Sequence, residues 1–184
     1  MSKELQTSIQ AHRRVTYDHR YFVVHDDLFV LIKEPVVNAV LRESSIASCY
    51  HDYIVQEITG GDKCTIAGHA TFAILVMINA VDSLPMLMAT DTHRGPLDAR
   101  LPIMSKSELC SIFENEAFAH DFYDIQWEFF TPRFMRGSFH LVLDEHVILP
   151  IVKQDAVGDT GFSQIFKTSI AIEENGKTSV CVTL

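Results

Sequence analysis

Apolar and polar positions follow three different rhythms along the 184 residues. Residues 1–22 are polar without a clear period, and residues 23–146 repeat their apolar side chains at helical spacings. Residues 147–184 alternate with a period of two, which is typical of strands. The pattern predicts an α+β fold, in which an N-terminal helical segment precedes a three-stranded antiparallel sheet. These ranges also define three predicted domains: a polar N-terminal arm, a helical module and a set of three strands.

Proline and glycine mark helix ends in the first half of the helical module. Pro35 can begin a helix that runs through Leu41, because its missing N–H needs no partner in a first helical turn. A second helix around Tyr53–Ile58 is predicted to end at Gly60, since a glycine favours the left-handed conformation that closes helices.

The second half of the helical module predicts two long helices. The stretch Thr65–Leu84 is apolar on most sides, as expected for a helix buried within a bundle. After a polar loop, Ser107 is predicted to cap a helix whose apolar stripe reaches Phe129 at spacings near three and four. Six acidic side chains and no Lys or Arg lie between Ser107 and Pro132, mostly on the opposite face of that helix.

Three stretches of the C-terminal segment are predicted to be strands: residues 146–158, 161–172 and 177–184. The Asn175–Gly176 pair between the last two stretches favours a tight hairpin turn. A sheet of three strands with an open edge is marginally stable alone and can pair with another chain.

Net charge lowers the expectation of nucleic-acid and membrane-surface binding. The formal net charge is −9, and residues 23–146 hold eighteen acidic but only eight basic side chains. A chain of this sign repels phosphate backbones and anionic lipid. The N-terminal arm alone is locally basic, through Arg13, Arg14 and Arg20, and its polar composition predicts a frayed terminus.

The composition is that of a cytoplasmic globular protein. The first ten residues lack the apolar run of a secretory signal, and the apolar stretch Phe72–Ile78 is shorter than the ~20 residues a transmembrane helix needs. The four cysteines are not spaced as metal ligands or as a disulfide scaffold: Cys49, Cys64, Cys110 and Cys181.

The stretch AVGDTGFSQIFKTSI resembles the glycine-rich turn that lies over the ATP phosphates in protein kinases. Gly158 matches the first glycine, Phe162 the aromatic residue at the tip and Ile165 the apolar residue after the turn. Thr160 replaces the second glycine, with Gly161 displaced by one position, and a serine replaces the third. The stretch SVCVTL resembles the third strand of the kinase small lobe.

A longer resemblance covers residues 50–184. Its order is a helical segment, the Q-W-E-F-F-x-P element at Gln126–Pro132, a leucine–proline strand and then the glycine turn. In this order the chain is similar to filamentous-fungal protein-kinase-like proteins of the serine/threonine kinase type. The resemblance implies that residues 147–184 begin a kinase small lobe and that ATP contacts come from six residues: Val157, Gly158, Thr160, Gly161, Phe162 and Ile165.

Departures from the kinase pattern predict that the chain does not transfer phosphate alone. Thr183 stands where the phosphate-binding lysine belongs, and the H-R-D catalytic loop and D-F-G metal site do not follow. We therefore expect a truncated or degenerate pseudokinase segment, with no catalytic residue, no metal ligand and at most weak ATP binding. The full-length relative would be an ATP-dependent serine/threonine kinase.

Other constellations have simpler interpretations. A run at residues 171–178 resembles a P-loop, but it would place two glutamates inside a cradle meant for an anionic phosphate. Phosphate binding there is therefore disfavoured. Histidine groupings such as His19 with His25, His51 with His69, or His140 with Glu145 and His146 lack the i, i+4 spacing on a convincing helix that metal sites use. Cys110 with His120 could imitate a nucleophile pair, but a cysteine on an apolar stripe is usually a packing residue.

A second hypothesis places the function in the helical module. An acidic, aromatic-rich surface over Glu114–Phe134 would bind another protein, and the strand edge Ser179–Leu184 would dock a partner by strand addition. The same edge makes self-association an expected property. Neither nucleic acid nor a membrane is an expected partner.

Overall fold

A computed structural model describes residues 1–60, 67–89, 95–132, 144–159, 164–170 and 178–183, with the backbone alone from residue 156 onward. Eight α-helices lie in these ranges: α1 (Ser2–His12), α2 (His25–Leu31), α3 (Glu34–Glu43), α4 (His51–Thr59), α5 (His69–Met77), α6 (Leu84–Ala89), α7 (Lys106–Ile112) and α8 (Glu116–Phe129). The described strands are β1 (Arg14–Val15), β2 (Tyr21–Phe22), β3 (Ile151–Asp159), β4 (Gln164–Ile170) and β5 (Thr178–Thr183). The predicted α+β class is confirmed.

The N-terminal arm is an integral part of the fold, so the predicted frayed terminus is wrong. Residues 2–12 form α1, which buries Leu5 and Ile9 in the main core and packs against α5. The two buried side chains are four positions apart and therefore lie on one helix face. Only two apolar positions are buried in this helix, which is why its composition resembled a solvated terminus.

The proline and glycine signals are confirmed. Helix α3 begins at Glu34 with Pro35 in its first turn, where no backbone hydrogen bond is lost. Helix α4 ends at Thr59, and Gly60 follows with φ of +78°, the left-handed conformation that a side chain would disfavour.

The apolar stretch predicted as one helix over Thr65–Leu84 is broken. Helix α5 ends at Met77, and Asn79 adopts φ of +55° before a short 3₁₀ turn leads into α6. Asparagine tolerates this left-handed conformation better than most residues, so it can end a helix inside an apolar run. Residues His69–Val76 of α5 are all buried, which makes α5 the central helix.

The helix predicted to begin at Ser107 is in fact two helices. The Ser105 hydroxyl oxygen accepts a hydrogen bond from the Glu108 N–H at 3.2 Å, so Ser105 rather than Ser107 caps α7. The chain then leaves helical geometry, and the Asn115 side chain caps α8 by accepting from the Ala117 N–H at 2.9 Å. The apolar spacing continues across the break, which is why it resembled one helix.

Asp98, from a distant loop, caps the central helix. Its carboxylate accepts from the Ala70 N–H at 2.9 Å, the Thr71 N–H at 2.8 Å and the Thr71 hydroxyl at 2.9 Å. The residue that precedes α5, Gly68, has no side chain to do this. A Cβ at Gly68 would lie 3.0 Å from a Leu97 methyl, so the absence of a side chain also permits the close approach of the loop that carries Asp98.

Two antiparallel sheets complete the described fold. Strands β1 and β2 pair with Arg14 opposite Phe22. Strand β4 lies between β3 and β5 and pairs antiparallel with both. The predicted Asn175–Gly176 turn lies outside the described residues. No helix in the described ranges combines the length and the apolar character that crossing a bilayer requires.

His69 is a buried histidine at the start of α5. Its side chain is 2% exposed, its ring lies 4.3 Å from the Phe29 ring, and its Nδ1 atom has no hydrogen-bond partner among the described residues. Burial, with a smaller contribution from the electrostatic interaction with His25, lowers the pKa of His69 from 6.5 to about 4. His69 is therefore neutral in the folded protein at neutral pH.

The free energy of unfolding is expected to depend on pH through His69. A lowered folded-state pKa contributes stability that is complete above about pH 6.5 and is lost as the pH falls towards about 4. His69→Gln should remove this dependence, which we expect to be on the order of 2 kcal/mol after allowance for solvent screening. Urea unfolding between pH 7 and pH 4 measures it.

The matched control is His12→Gln, because His12 is exposed at the end of α1. This variant should follow the pH profile of the unmodified protein. Equal slopes for the His69→Gln and unmodified proteins would contradict the assignment of the pH dependence to His69.

Candidate functional site

The structure places part of the predicted glycine turn at the junction of β3 and β4. Val157 and Gly158 lie near the end of β3 and Ile165 lies in β4, while Thr160, Gly161 and Phe162 are outside the described residues. Gly158 pairs with Ile165, and the register shifts between Ala156 and Gly158, so Val157 is an extra residue in the ladder. Such a bulge bends a strand and increases its twist.

Backbone pairing also relates the glycine turn to the position where kinases hold a lysine. Ile165 pairs on one side with Gly158 and on the other with Thr183 of β5. Three positions that carry the resemblance therefore form one row across the sheet. Threonine has no charge, so this row offers no cation to a phosphate group.

The last turn of α8 carries the Q-W-E-F element, and its first residue fixes a distant loop. The Gln126 side chain is fully buried. Its amide oxygen accepts from the Ile103 N–H at 2.8 Å, and its amide nitrogen donates to the Ile103 carbonyl at 3.0 Å. Gln126 thus binds both backbone polar groups of Ile103, as a neighbouring strand would, and leaves neither group unpaired.

Trp127 joins the N-terminal hairpin to the segment that leads into β3. It belongs to a second apolar cluster, distinct from the main core, with Phe22, Val24, Val147 and Ile148. The His146 ring stacks on the indole with ring centres 5.1 Å apart. Burial of an indole is a large apolar contribution, so this contact couples the two segments strongly.

Glu128 connects the same turn to the N-terminal arm. Its carboxylate accepts from Arg13 at 2.6 Å, and its backbone carbonyl accepts from the Val23 N–H at 2.8 Å. Burial raises the pKa of Glu128, and the Arg13 guanidinium opposes that shift. The Arg13 guanidinium also lies 4.2 Å from the centre of the Tyr21 ring, so it is held by both a carboxylate and an aromatic face.

A backbone hydrogen bond extends this connection to the sheet. The Tyr17 N–H, in the hairpin between β1 and β2, donates to the carbonyl of Ile151 at 2.8 Å. Ile151 is the first residue of β3. The N-terminal hairpin therefore holds the start of β3 by a hydrogen bond, and Trp127 of α8 packs against the segment just before it.

The locally basic character expected for the N-terminal arm is neutralised in the fold. Arg13 pairs with Glu128, Arg14 contacts Asp27 at 3.1 Å, and Arg20 contacts Asp18 at 2.8 Å. Each arginine has a carboxylate partner, so the arm presents no isolated group of cations.

The surface of α7 and α8 is acidic, and its aromatic side chains contribute to it only in part. Phe113, Phe122, Trp127 and Phe129 are buried, whereas Phe118, Tyr123 and Phe130 are half-buried. The exposed carboxylates are those of Glu108, Glu114, Glu116, Asp121 and Asp124. Lys106, whose ammonium lies 4.0 Å from the Asp124 carboxylate, is the one lysine or arginine in these two helices. Acidic side chains therefore outnumber basic ones on this face.

A cleft of about 370 Å³ opens between α4 and the short turn at Leu97–Arg100. Its polar rim includes Gln56, Glu57 and Arg100. The Arg100 guanidinium donates to the Leu87 carbonyl at 2.7 Å.

The histidine groupings and the P-loop-like run fall partly within the described residues. His51 binds the Ile46 carbonyl through Nε2 at 3.0 Å, and His146 contacts Asp144 at 2.7 Å. His140 and most of the P-loop-like run at residues 171–178 lie outside the described residues. The pairing of Arg13 with Glu128 and the capping of α5 by Asp98 were not predicted, because the partners are distant in sequence and no local signal marks either contact.

Comparison with protein-family models, with curated proteins and with solved structures finds no match.

Gln126→Ala should destabilise the protein by about 2–4 kcal/mol, because it strands the buried N–H and carbonyl of Ile103. Urea unfolding followed by circular dichroism measures this loss. Trp127 is the one tryptophan in the chain and the next residue, so its fluorescence reports on the same junction. The transitions seen by the two methods should shift together.

Gln10→Ala is the matched control, because Gln10 is exposed on α1. Its effect should stay within about 0.5 kcal/mol, as for most surface substitutions. A Gln126→Ala midpoint equal to that of Gln10→Ala would contradict the role assigned to Gln126.

Proposed function

We propose that this chain is a cytoplasmic, fungal-type protein-kinase-like segment that does not transfer phosphate by itself. Its helical module would hold the first strands of a kinase-like small lobe in place. The observation that supports this proposal is the packing of Trp127 against Val147 and Ile148, which lie just before β3. In the resemblance, the Q-W-E-F element simply precedes the leucine–proline segment along the chain. In the fold, the two segments pack in one apolar cluster.

Phosphoryl transfer requires a lysine for the phosphates, metal ligands and a catalytic aspartate. In the resemblance, Thr183 stands at the position of that lysine, and backbone pairing puts it in the same row as Gly158 and Ile165. Any ATP contact would come from backbone groups near the turn, namely those of Val157, Gly158, Thr160, Gly161, Phe162 and Ile165. Without a cation such contacts would be weak.

Restoring the missing cation tests the kinase-like assignment. Isothermal titration of the full chain with Mg-ATP should give a Kd weaker than about 1 mM, equivalent to about 4 kcal/mol of binding. Thr183→Lys should tighten binding by roughly tenfold or more, because a lysine in this row can contact the phosphates. Gly158→Asp in that variant should abolish the gain by placing a carboxylate beside the phosphates.

Thr178→Lys provides the control, because it adds the same charge at the other end of β5. It should leave ATP binding unchanged. A gain equal to that of Thr183→Lys would contradict the kinase-like assignment. Micromolar binding by the unmodified chain, lost on Gly158→Asp, would contradict the proposal that the site is degenerate.

A second proposed function is protein binding by the helical module. The acidic face of α7 and α8 supports it, since exposed carboxylates lie there and Lys106 is the one lysine or arginine in these two helices. Such a face attracts a basic segment of another protein and orients its approach. The strand edge predicted over residues 179–184, of which 179–183 are described and lie in β5, would offer a second docking point by strand addition, to a partner or to another copy of the chain.

Charge reversal tests the acidic face. A fluorescently labelled oligolysine peptide should bind the unmodified chain, with an affinity that falls as salt is added. The double variant Glu114→Lys/Asp121→Lys should weaken binding by roughly tenfold, because it reverses two charges on the face. Fluorescence anisotropy at low and physiological salt measures both effects.

Asp26→Lys/Asp52→Lys makes the same change in net charge on α2 and α4. This control should weaken binding much less. Equal losses in the two double variants would show that net charge alone binds the peptide and would contradict a docking role for the α7–α8 face.

A further inference from the structure

Three side chains of metal-ligand type converge where α7 meets α8. The candidate ligand atoms of Cys110, Glu116 and His120 all lie within 4.8 Å of one another. No other group of three or more His, Cys, Asp or Glu side chains converges in this way within the described ranges. All three are exposed, so Cys110 is not the packing residue that its apolar neighbours suggested.

The helix geometry places these side chains together. Glu116 and His120 are four residues apart on α8 and therefore share a face, with the carboxylate oxygen 3.9 Å from the His120 Nε2. His120 was not among the histidine groupings considered from the sequence, where it was paired only with Cys110. Cys110, on α7, completes the group from the other side of the interhelical turn.

The backbone beneath the cluster is held firmly by buried neighbours. Leu109 and Ala119, which adjoin Cys110 and His120 in sequence, are both buried in the main core. The Phe113 and Phe122 rings pack between the helices with centres 5.6 Å apart. Binding of an ion would thus require rotation of exposed side chains but no movement of the helices.

We propose that Cys110, Glu116 and His120 bind Zn²⁺ through a thiolate, a carboxylate and an imidazole. Zn–S bonds of about 2.3 Å and Zn–N or Zn–O bonds near 2.0–2.2 Å place tetrahedral ligands roughly 3.3–3.8 Å apart. The observed spacing, within 4.8 Å, closes to this range by side-chain rotation. The thiol releases its proton to solvent on binding, as a metal-bound cysteine must.

The ligand set identifies the class of ion. A thiolate and an imidazole disfavour Mg²⁺ and Ca²⁺, which prefer oxygen ligands, whereas Zn²⁺ accepts sulfur, nitrogen and oxygen together. Three protein ligands leave the fourth tetrahedral position open, for water or for a group from a second molecule. This inference rests on the α7–α8 geometry alone and does not depend on the kinase-like assignment.

Cobalt titration of the full chain under reducing conditions tests the site, because Co²⁺ substitutes for Zn²⁺ and reports a bound thiolate by a charge-transfer band. We expect one Co²⁺ per chain with that band, displaced by Zn²⁺. Cys110→Ser should abolish the band. His120→Ala should weaken cobalt binding by roughly 100-fold, since changes in the outer shell of metal sites alone cost about 10–100-fold.

Matched controls separate this site from other cysteines and histidines. Cys49→Ser removes another exposed thiol, and His12→Ala removes another exposed imidazole. Both should keep the band and the affinity. A band that persists in Cys110→Ser, or an absence of stoichiometric cobalt binding by the unmodified chain, would overturn the proposal.

Discussion

The fold depends on three consecutive residues in the last turn of α8. Successive helical residues point about 100° apart, so Gln126, Trp127 and Glu128 face three different neighbours. Gln126 binds the loop at Ile103, Trp127 packs against the segment before β3, and Glu128 pairs with Arg13 of the N-terminal arm. One turn of helix thereby joins segments that are more than a hundred residues apart in sequence. Its own position is set by the buried apolar face of α8 in the main core.

The sequence predicted what is encoded locally and missed what is decided by tertiary contacts. Pro35 and Gly60 act through their own backbone preferences, so the start of α3 and the end of α4 could be placed in advance. Asn79 and Asn115 interrupt apolar runs whose spacing suggested continuous helices. The carboxylate of Asp98, which caps α5, lies 27 and 28 residues along the chain from its backbone partners, and no pattern within a helix reveals such a cap.

Charge pairing explains why composition alone described the candidate surfaces incompletely. Arg13, Arg14 and Arg20 are close in sequence, but each is neutralised by a carboxylate. Aromatic and acidic side chains are neighbours in the sequence of α8, but most of the aromatic side chains are buried and do not contribute to the surface. The acidic face was predicted from the sequence, whereas the convergence of Glu116 with Cys110 and His120 required the fold. The Q-W-E-F element was noticed in the sequence, but its contacts required the fold.

Contacts of α8 and of the N-terminal arm with the sheet lie at the start of β3 in the described part of the chain. The Tyr17 hydrogen bond and the Trp127 cluster both involve residues up to Ile151. At about 3.3 Å per residue, Gly158 lies roughly 23 Å further along the strand. The N-terminal arm and α8 therefore fix where β3 begins. Under the proposed kinase-like assignment, nucleotide binding would depend on the turn and on position 183. A substitution at position 183 would then leave the packing at the start of β3 intact.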